Sequence, residues 1–227
     1  MLTFKNVTKH YRLGQQTVEA LKGVSGQINK GEMVALCGPS GSGKSTLLNT
    51  LGLLEMDYQG QIELAGKAYP KDPKQAAMYR RTKLGFVFQR FNLIPVMSAW
   101  ENVAYPLMLN GFSLADQEKK AREILDKVGL AEYANHRPDN LSGGQQQRVA
   151  IARALVHQPE MVIADEPTAS LDSHTASVVI DLMKTLGHEM GTTFIVATHD
   201  PRMALQCDRT IDLVDGQITA EAMKWAS

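Results

Sequence analysis

The chain has 227 residues, with 24 Lys plus Arg balanced by 24 Asp plus Glu, and two cysteines. At this length roughly 70–75% of the unfolded surface can be buried, so no disulfide or metal staple is needed, and two cysteines are too few for a disulfide framework. Zero net charge argues against a broad nucleic-acid or anionic-membrane surface; with no signal-peptide stretch in MLTFKNVTKHY and no apolar run near 18 residues, a soluble cytoplasmic chain is expected, linked to a membrane only through a partner.

The first 30 residues are rich in strand-like pieces. MVALC (33–37) is apolar, unbroken and too short for a buried helix, which predicts a central strand covered on both faces. Cys37 ends it and reads as a small buried hydrophobe. GPSGSGKST (38–46) follows, and KSTLLNTLGLL predicts a helix over 44–54. Residues 91–140 are mostly helical and interrupt the α/β pattern. Within them Ser113, with Asp116 three residues on, opens a helix striped by Leu114, Ala121, Ile124, Leu125 and Val128 and stopped by Gly129. A third helix runs from about Gly144 to His157. MVIA (161–164) and FIVA (194–197) repeat the central-strand pattern, and between them a helix follows Ser173, with Ala176, Val179, Ile180, Met183 and Leu186 on one face. The last 20 residues return to strand-like pieces around the turn DGQI (215–218). The expected fold is α/β: a mostly parallel sheet, an N-terminal antiparallel β region and an inserted helical subdomain.

Each central strand ends in polar residues: GPSGSGKS, DEP and THD. Ligands of open α/β sheets sit beyond the carboxyl ends of the strands, so three such ends can build one site. GPSGSGKST fits G-x-x-x-x-G-K-[ST] through Gly38, Gly43, Lys44 and Ser45, between a strand and a helix as the motif requires. The loop Gly38, Pro39, Ser40, Gly41, Ser42, Gly43, Lys44, Ser45 and Thr46 carries few side chains, so its N–H groups can cradle a phosphate at a positive helix end. Lys44 can reach the β- and γ-phosphates of a bound nucleotide, and Ser45 can ligate Mg²⁺. A nucleotide kinase could carry nearly the same loop. Asp165 fits a metal-holding carboxylate at a strand end, and Glu166 a base for an attacking water; alone, they would read as an ordinary acidic turn. His199 can contact the γ-phosphate or serve structure only. Ser142, Gly143, Gly144 and Gln145, in LSGGQ, read either as a second anion site at a helix N-terminus or as a Ser-capped helix start.

Taken together, these motifs resemble the ATP-binding subunits of ABC transporters. LSGGQQQRVAIARAL looks like that family's signature, and the order of phosphate loop, Gln89 after GFVF, signature, Asp165–Glu166, ASLD (169–172) and His199 covers nearly the whole chain. The resemblance implies a P-loop NTPase core over 1–90 and 157–227, and a helical signature subdomain over 91–156, all in one domain. It implies ATP hydrolysis with Mg²⁺, in which Glu166, His199 and Gln89 are catalytic. Ser45, Gln89 and Asp165 serve the metal, Tyr11 stacks on adenine, and Ser142, Gly143, Gly144, Gln145 and Asp172, the last in the D-loop, bind the nucleotide. It further implies a head-to-tail homodimer with two composite sites. An integral-membrane permease would dock near Gln89 to Pro95, through Phe91, Leu93, Ile94 and Pro95 where these are exposed; buried, they are subdomain core. The stretch GFVFQRFNLIPVMSAWENVAYPLMLNG (85–111) is most like the lipoprotein-release, macrolide-efflux and cell-division group, with polar amino-acid importers similar at FNLIP. EMDYQG (55–60) departs from that group's usual turn. The chain ends soon after DGQI, so no C-terminal regulatory domain is expected. Residues 47–140 separate loop and signature without sustained heptads, unlike DNA-repair and chromosome ATPases; a soluble iron–sulfur assembly ATPase is the other non-transport alternative. The expected location is the cytoplasmic face of the inner membrane, held there by the permease.

Overall fold

The structure, a computed structural model, describes residues 1–14 and 16–223. It opens with two long antiparallel strands, β1 (Leu2–Leu13) and β2 (Gln16–Ile28), whose register shifts on either side of Lys9. After β3 (Met33–Cys37) come the Gly/Ser loop and α1 (Lys44–Leu51), then β4 (Gln59–Leu64), β5 (Lys67–Ala68), α2 (Pro73–Lys83) and β6 (Leu84–Phe88). Three helices follow in succession: α3 (Ala99–Leu109), α4 (Leu114–Lys127) and α5 (Gly143–Leu155). The chain then runs through β7 (Met161–Asp165), α6 (Ser173–Met190), β8 (Thr193–Ala197), α7 (Pro201–Gln206), β9 (Arg209–Val214) and β10 (Gln217–Met223).

Two sheets result. One is antiparallel, in the order β2-β1-β4-β5; the other runs β10-β9-β3-β8-β7-β6 and is parallel except where β10 joins β9. The three unbroken apolar runs are the adjacent strands β3, β8 and β7, so their polar ends emerge along one edge. Their composition follows from burial on both faces. Met33, Ala35, Val162, Ala164, Phe194 and Val196 pack with α3 to α6. Their alternates Val34, Leu36, Met161, Ile163, Ile195 and Ala197 pack with α1 and the antiparallel sheet. Successive side chains of a strand point to opposite faces, so one sheet serves two cores.

Helix ends follow local chemistry. α1 stops at Leu51, short of the expected 54, because Gly52 N donates to Leu48 O, Leu53 N donates to Thr50 O and Leu53 turns to φ 56°. Ser113 caps α4 as expected, accepting from Asp116 N, and Gly129 beyond it stands at φ 69°. α5 begins one residue earlier than expected and ends at Leu155. In α3, Ser98 and Glu101 form a reciprocal capping box, and the buried Asn102 side chain bonds to Ile94 N, Ile94 O, Met97 O and Ser98 O. That one amide pins the 94–98 loop to the helix. Gly85 lets α5 press on β6, since a Cβ there would collide with Ala154 O. Among the described residues no helix is long and apolar enough to cross a membrane.

Candidate functional site

The strand ends open into a cleft of about 810 Å³. Gly38, Pro39, Ser40, Gly41, Gly43, Lys44, Ser45 and Thr46 line it from the loop after β3, Asp165 and Glu166 from the end of β7, His199 from beyond β8, and Tyr11 from β1. Ser42 is buried beneath the loop instead. The loop's glycines have distinct reasons. Gly38 stands at φ 144°, where a Cβ would collide with Leu213 O; Gly43 stands at φ 103°, where a Cβ would lie 2.6 Å from Ala20 O. Both let the loop settle against the neighbouring backbone in a conformation that L side chains rarely adopt. Lys44 folds back on this loop, its Nζ donating to Gly38 O at 2.7 Å and Pro39 O at 3.0 Å. An ammonium has three donors, so one remains for an anion.

Opposite the lysine stand two carboxylates. Burial pushes the Asp165 carboxyl above its usual range and the Glu166 charge pushes the same way, against the pull of Lys44. Glu166 takes a left-handed backbone, φ 47°, which is costly for a residue with a Cβ and clusters at functional sites. Its N–H donates to Ala197 O at 3.0 Å, so the β7–β8 ladder holds the strained residue in place. Its Oε1 lies 2.8 Å from His199 Nδ1. The imidazole is 72% exposed and the carboxylate 20%, so the histidine faces the open cleft while steadying a more sheltered group. Cys37, half-buried at the end of β3, has its thiol pushed up by burial first and by Asp212 next, which keeps it protonated and inert.

Other expected residues lie outside this cleft. Ser142 caps α5: its Oγ accepts from Gln145 N, and its own N–H donates to Gln145 Oε1 at 2.8 Å. Gly144 is buried against α6, where a Cβ would collide with Thr175 Cγ2, so packing alone requires a glycine there. Gly143 is less crowded, 3.6 Å from Leu171 and 3.8 Å from Phe91 as a Cβ would see them. The N–H groups of Gly143 and Gly144, in the first turn, have no intrahelical acceptor. Asp172 caps α6, accepting from His174 N, Thr175 N and Thr175 Oγ1; the Thr175 hydroxyl and N–H hold its carboxyl below the usual range. Gln89 is exposed just past β6, and its carbonyl accepts from Ser170 Oγ at 3.1 Å.

The cleft also has walls that the motifs do not announce. Val18 and Ala20 of β2 and the Asp215–Gly216 turn line it. Gly216 N donates to Ser42 O and Lys22 N donates to Gly216 O, both at 2.9 Å, so this turn ties the phosphate loop to β2. The Asp-Gly pair marks a hairpin in the sequence, but nothing local shows which loop it touches.

The residues fit a nucleoside triphosphate with a divalent cation. Loop N–H groups and Lys44 suit phosphates, and Ser45 and Asp165 offer oxygens on the same cleft. Among the described residues no three His, Cys, Asp or Glu side chains form a metal cage. Mg²⁺ asks for less, usually one or two carboxylates plus substrate phosphates.

Comparison with known proteins agrees. The ABC transporter family model matches residues 21–169. The lipoprotein-releasing system ATP-binding protein LolD of Legionella pneumophila (strain Lens) is 48% identical over 221 residues, 97% of each chain. The macrolide export ATP-binding/permease protein MacB of Bdellovibrio bacteriovorus is 45% identical over 97% of this chain, which spans 34% of that relative. A dimeric, post-hydrolysis structure of the ATP-binding cassette MJ0796 of Methanocaldococcus jannaschii, bound to ADP and Pi, superposes with a TM-score of 0.89 at 44% identity, covering 98% of both chains. With its phosphate loop, acidic strand end and histidine gathered on a P-loop NTPase core, the chain belongs to the ABC transporter family, as one of its ATP-binding and ATP-hydrolysing cassettes.

Proposed function

We propose that this cassette powers an inner-membrane complex of the lipoprotein-release or macrolide-efflux kind, working as a homodimer on the cytoplasmic face beneath a membrane-spanning permease. The observation that carries the catalytic part is the meeting of Lys44, Asp165, Glu166 and His199 on one cleft. Lys44 and the loop N–H groups bind the β- and γ-phosphates, and Tyr11 stacks on the adenine. Ser45 and Asp165, joined by Gln89 from outside the cleft, would hold Mg²⁺, which when bound would neutralise charge on the phosphates. Glu166 takes a proton from the attacking water as its oxygen bonds to the γ-phosphorus and the bond to the β–γ bridging oxygen breaks. His199 holds that carboxylate in place and reaches the γ-phosphate.

Ser142, Gly143, Gly144 and Gln145 do not line their own chain's cleft. In the proposed dimer they close the partner's, offering the free N–H groups of the α5 N-terminus to the γ-phosphate, with Asp172 at the seam. The dimeric cassette to which the chain is similar supports this arrangement.

A second groove, of about 480 Å³, lies between α2, β6 and α3 and is lined by Phe88, Ile94, Tyr105, Pro106 and Arg153. Arg153 donates to Phe91 O and Asn92 O and so shapes its rim. Of the residues expected to dock a permease, Ile94 lines this groove, Pro95 is exposed, Phe91 is half-buried and Leu93 packs against the core. The groove is the proposed seat of a permease segment, and the helical region 91–156 is the part that moves with it. Affinity capture of the chain from detergent-solubilised membranes tests this. A polytopic membrane protein with a large extracytoplasmic domain is the expected companion; a companion of the amino-acid importer type, or none, overturns the assignment.

A further inference from the structure

Lys9 is a buried cation that the reading above leaves without a task. It is 4% exposed, on β1, flanked by shifts in strand register, the kind of bulge that re-aims a side chain. Its Nζ lies 3.2 Å from Glu55 Oε2 and 3.1 Å from Asp57 Oδ2, both in the segment before β4. The same Nζ sits over the Tyr11 ring, 4.9 Å from its centroid. Tyr11 lines the nucleotide cleft, and Lys9, itself buried, is not among the residues that line it. Burying an ammonium carries a desolvation cost that a surface lysine avoids, and here Glu55 and Asp57 offset it. Burial lowers the pKa of Lys9, but hydrogen bonds and charge from Asp57 and Glu55 outweigh it, so the net shift is upward and the group stays charged.

We propose that Lys9 is a positioning residue for nucleotide binding: anchored by Glu55 and Asp57, it holds the Tyr11 ring in the orientation that stacks on the base. The proposal rests on the reading of Tyr11 as the base-stacking residue. A fixed cation on one face of an aromatic ring restrains the ring before the ligand arrives, so less order is lost on binding.

Equilibrium binding of ATP and of inorganic tripolyphosphate to the full chain tests it. Lys9→Met is expected to weaken ATP about three- to tenfold and to leave tripolyphosphate, which has no base, unchanged. Lys9→Arg, whose guanidinium also stacks on aromatic faces, is expected to restore most of the loss. In a Tyr11→Ala background Lys9→Met should add nothing. Lys9→Gln, which can still donate to Glu55 and Asp57, serves where the Met variant does not fold and is expected to show the same selective loss. Equal weakening of both ligands, or an undiminished effect of Lys9→Met in Tyr11→Ala, would reduce Lys9 to a structural tie and overturn the proposal. Wild-type ATP affinity in Lys9→Met beside a weakened Tyr11→Ala overturns it while leaving Tyr11 in its role. Wild-type affinity in Tyr11→Ala overturns that role, and this inference with it.

Discussion

Asp165 and Glu166 sit side by side with different burdens. The surroundings of Asp165 disfavour its ionised form, because its folded pKa is raised by burial and by its neighbour. A raised carboxyl pKa means that the folded state binds protons more tightly than the unfolded one. The cost to stability is therefore absent below the unfolded pKa and fully present above the folded one. Asp165→Asn is expected to raise the melting temperature at pH 7 in the absence of Mg²⁺, with the gain shrinking as pH falls through the carboxylate range. Thermal melts between pH 3 and pH 8 (about the span of reference Asp and His titrations) check the sign; a lower melting temperature in the variant at pH 7 would show the carboxylate to be stabilising. The placement of Lys44, Asp165, Glu166 and His199 was legible because each directly follows, or lies within a few residues of, an apolar run whose buried strand delivers it to a common edge. Val18, Ala20 and Gly216 were not legible, because their nearness to Lys44 is made by strand pairing and by a turn folded over the loop.

The α5 start shows one element serving two demands. The sequence left open whether Ser142 to Gln145 are an anion site or a helix cap, and the cap is present in full. The glycine at 144 is required by α6, independently of any ligand. Gly144→Ala forces a methyl into Thr175 Cγ2, and overpacking of this kind costs about 1–3 kcal/mol. Thr175→Ser deletes that methyl and keeps the hydroxyl that bonds Asp172. The double variant should recover most of the lost stability in urea titrations; no recovery would place the cost at the backbone of the α5 first turn. Elements with a strong stripe or an unbroken apolar run were readable: β3, β7, β8, α4 and α6. α2 was not, since it buries only Ala76 and is held by the Asp72 cap with Pro73 at its first position. α7, six residues long, is too short to show a period.

At the scale of the whole molecule, the proposed pairing of one chain's cleft with the other's α5 start can be tested directly. Glu166→Gln keeps shape and removes the proposed base, and general-base assistance is worth about 10²–10⁴-fold in rate, while Lys44 and the loop are untouched. Hydrolysis is expected to collapse as ATP binding persists, and the chain should elute at twice its monomer mass when ATP is present. Lys44→Ala added to it should abolish both ATP binding and the shift. A Glu166→Gln protein that turns over ATP at the wild-type rate, or stays monomeric at saturating ATP, would remove the base or the pairing from the scheme.

The six-stranded sheet has a consequence for how such a chain can diverge. Odd and even positions of β3, β7 and β8 answer to different cores. Substitutions on the side that meets α3 to α6 repack against a different set of side chains from those on the side of the antiparallel sheet. The sheet thus works as a firebreak. The helices that would face a permease can be rewritten for a new companion while the opposite side, which carries Tyr11 and Lys9, keeps its wording. That separation is written into strands of five residues, one letter for each side in turn.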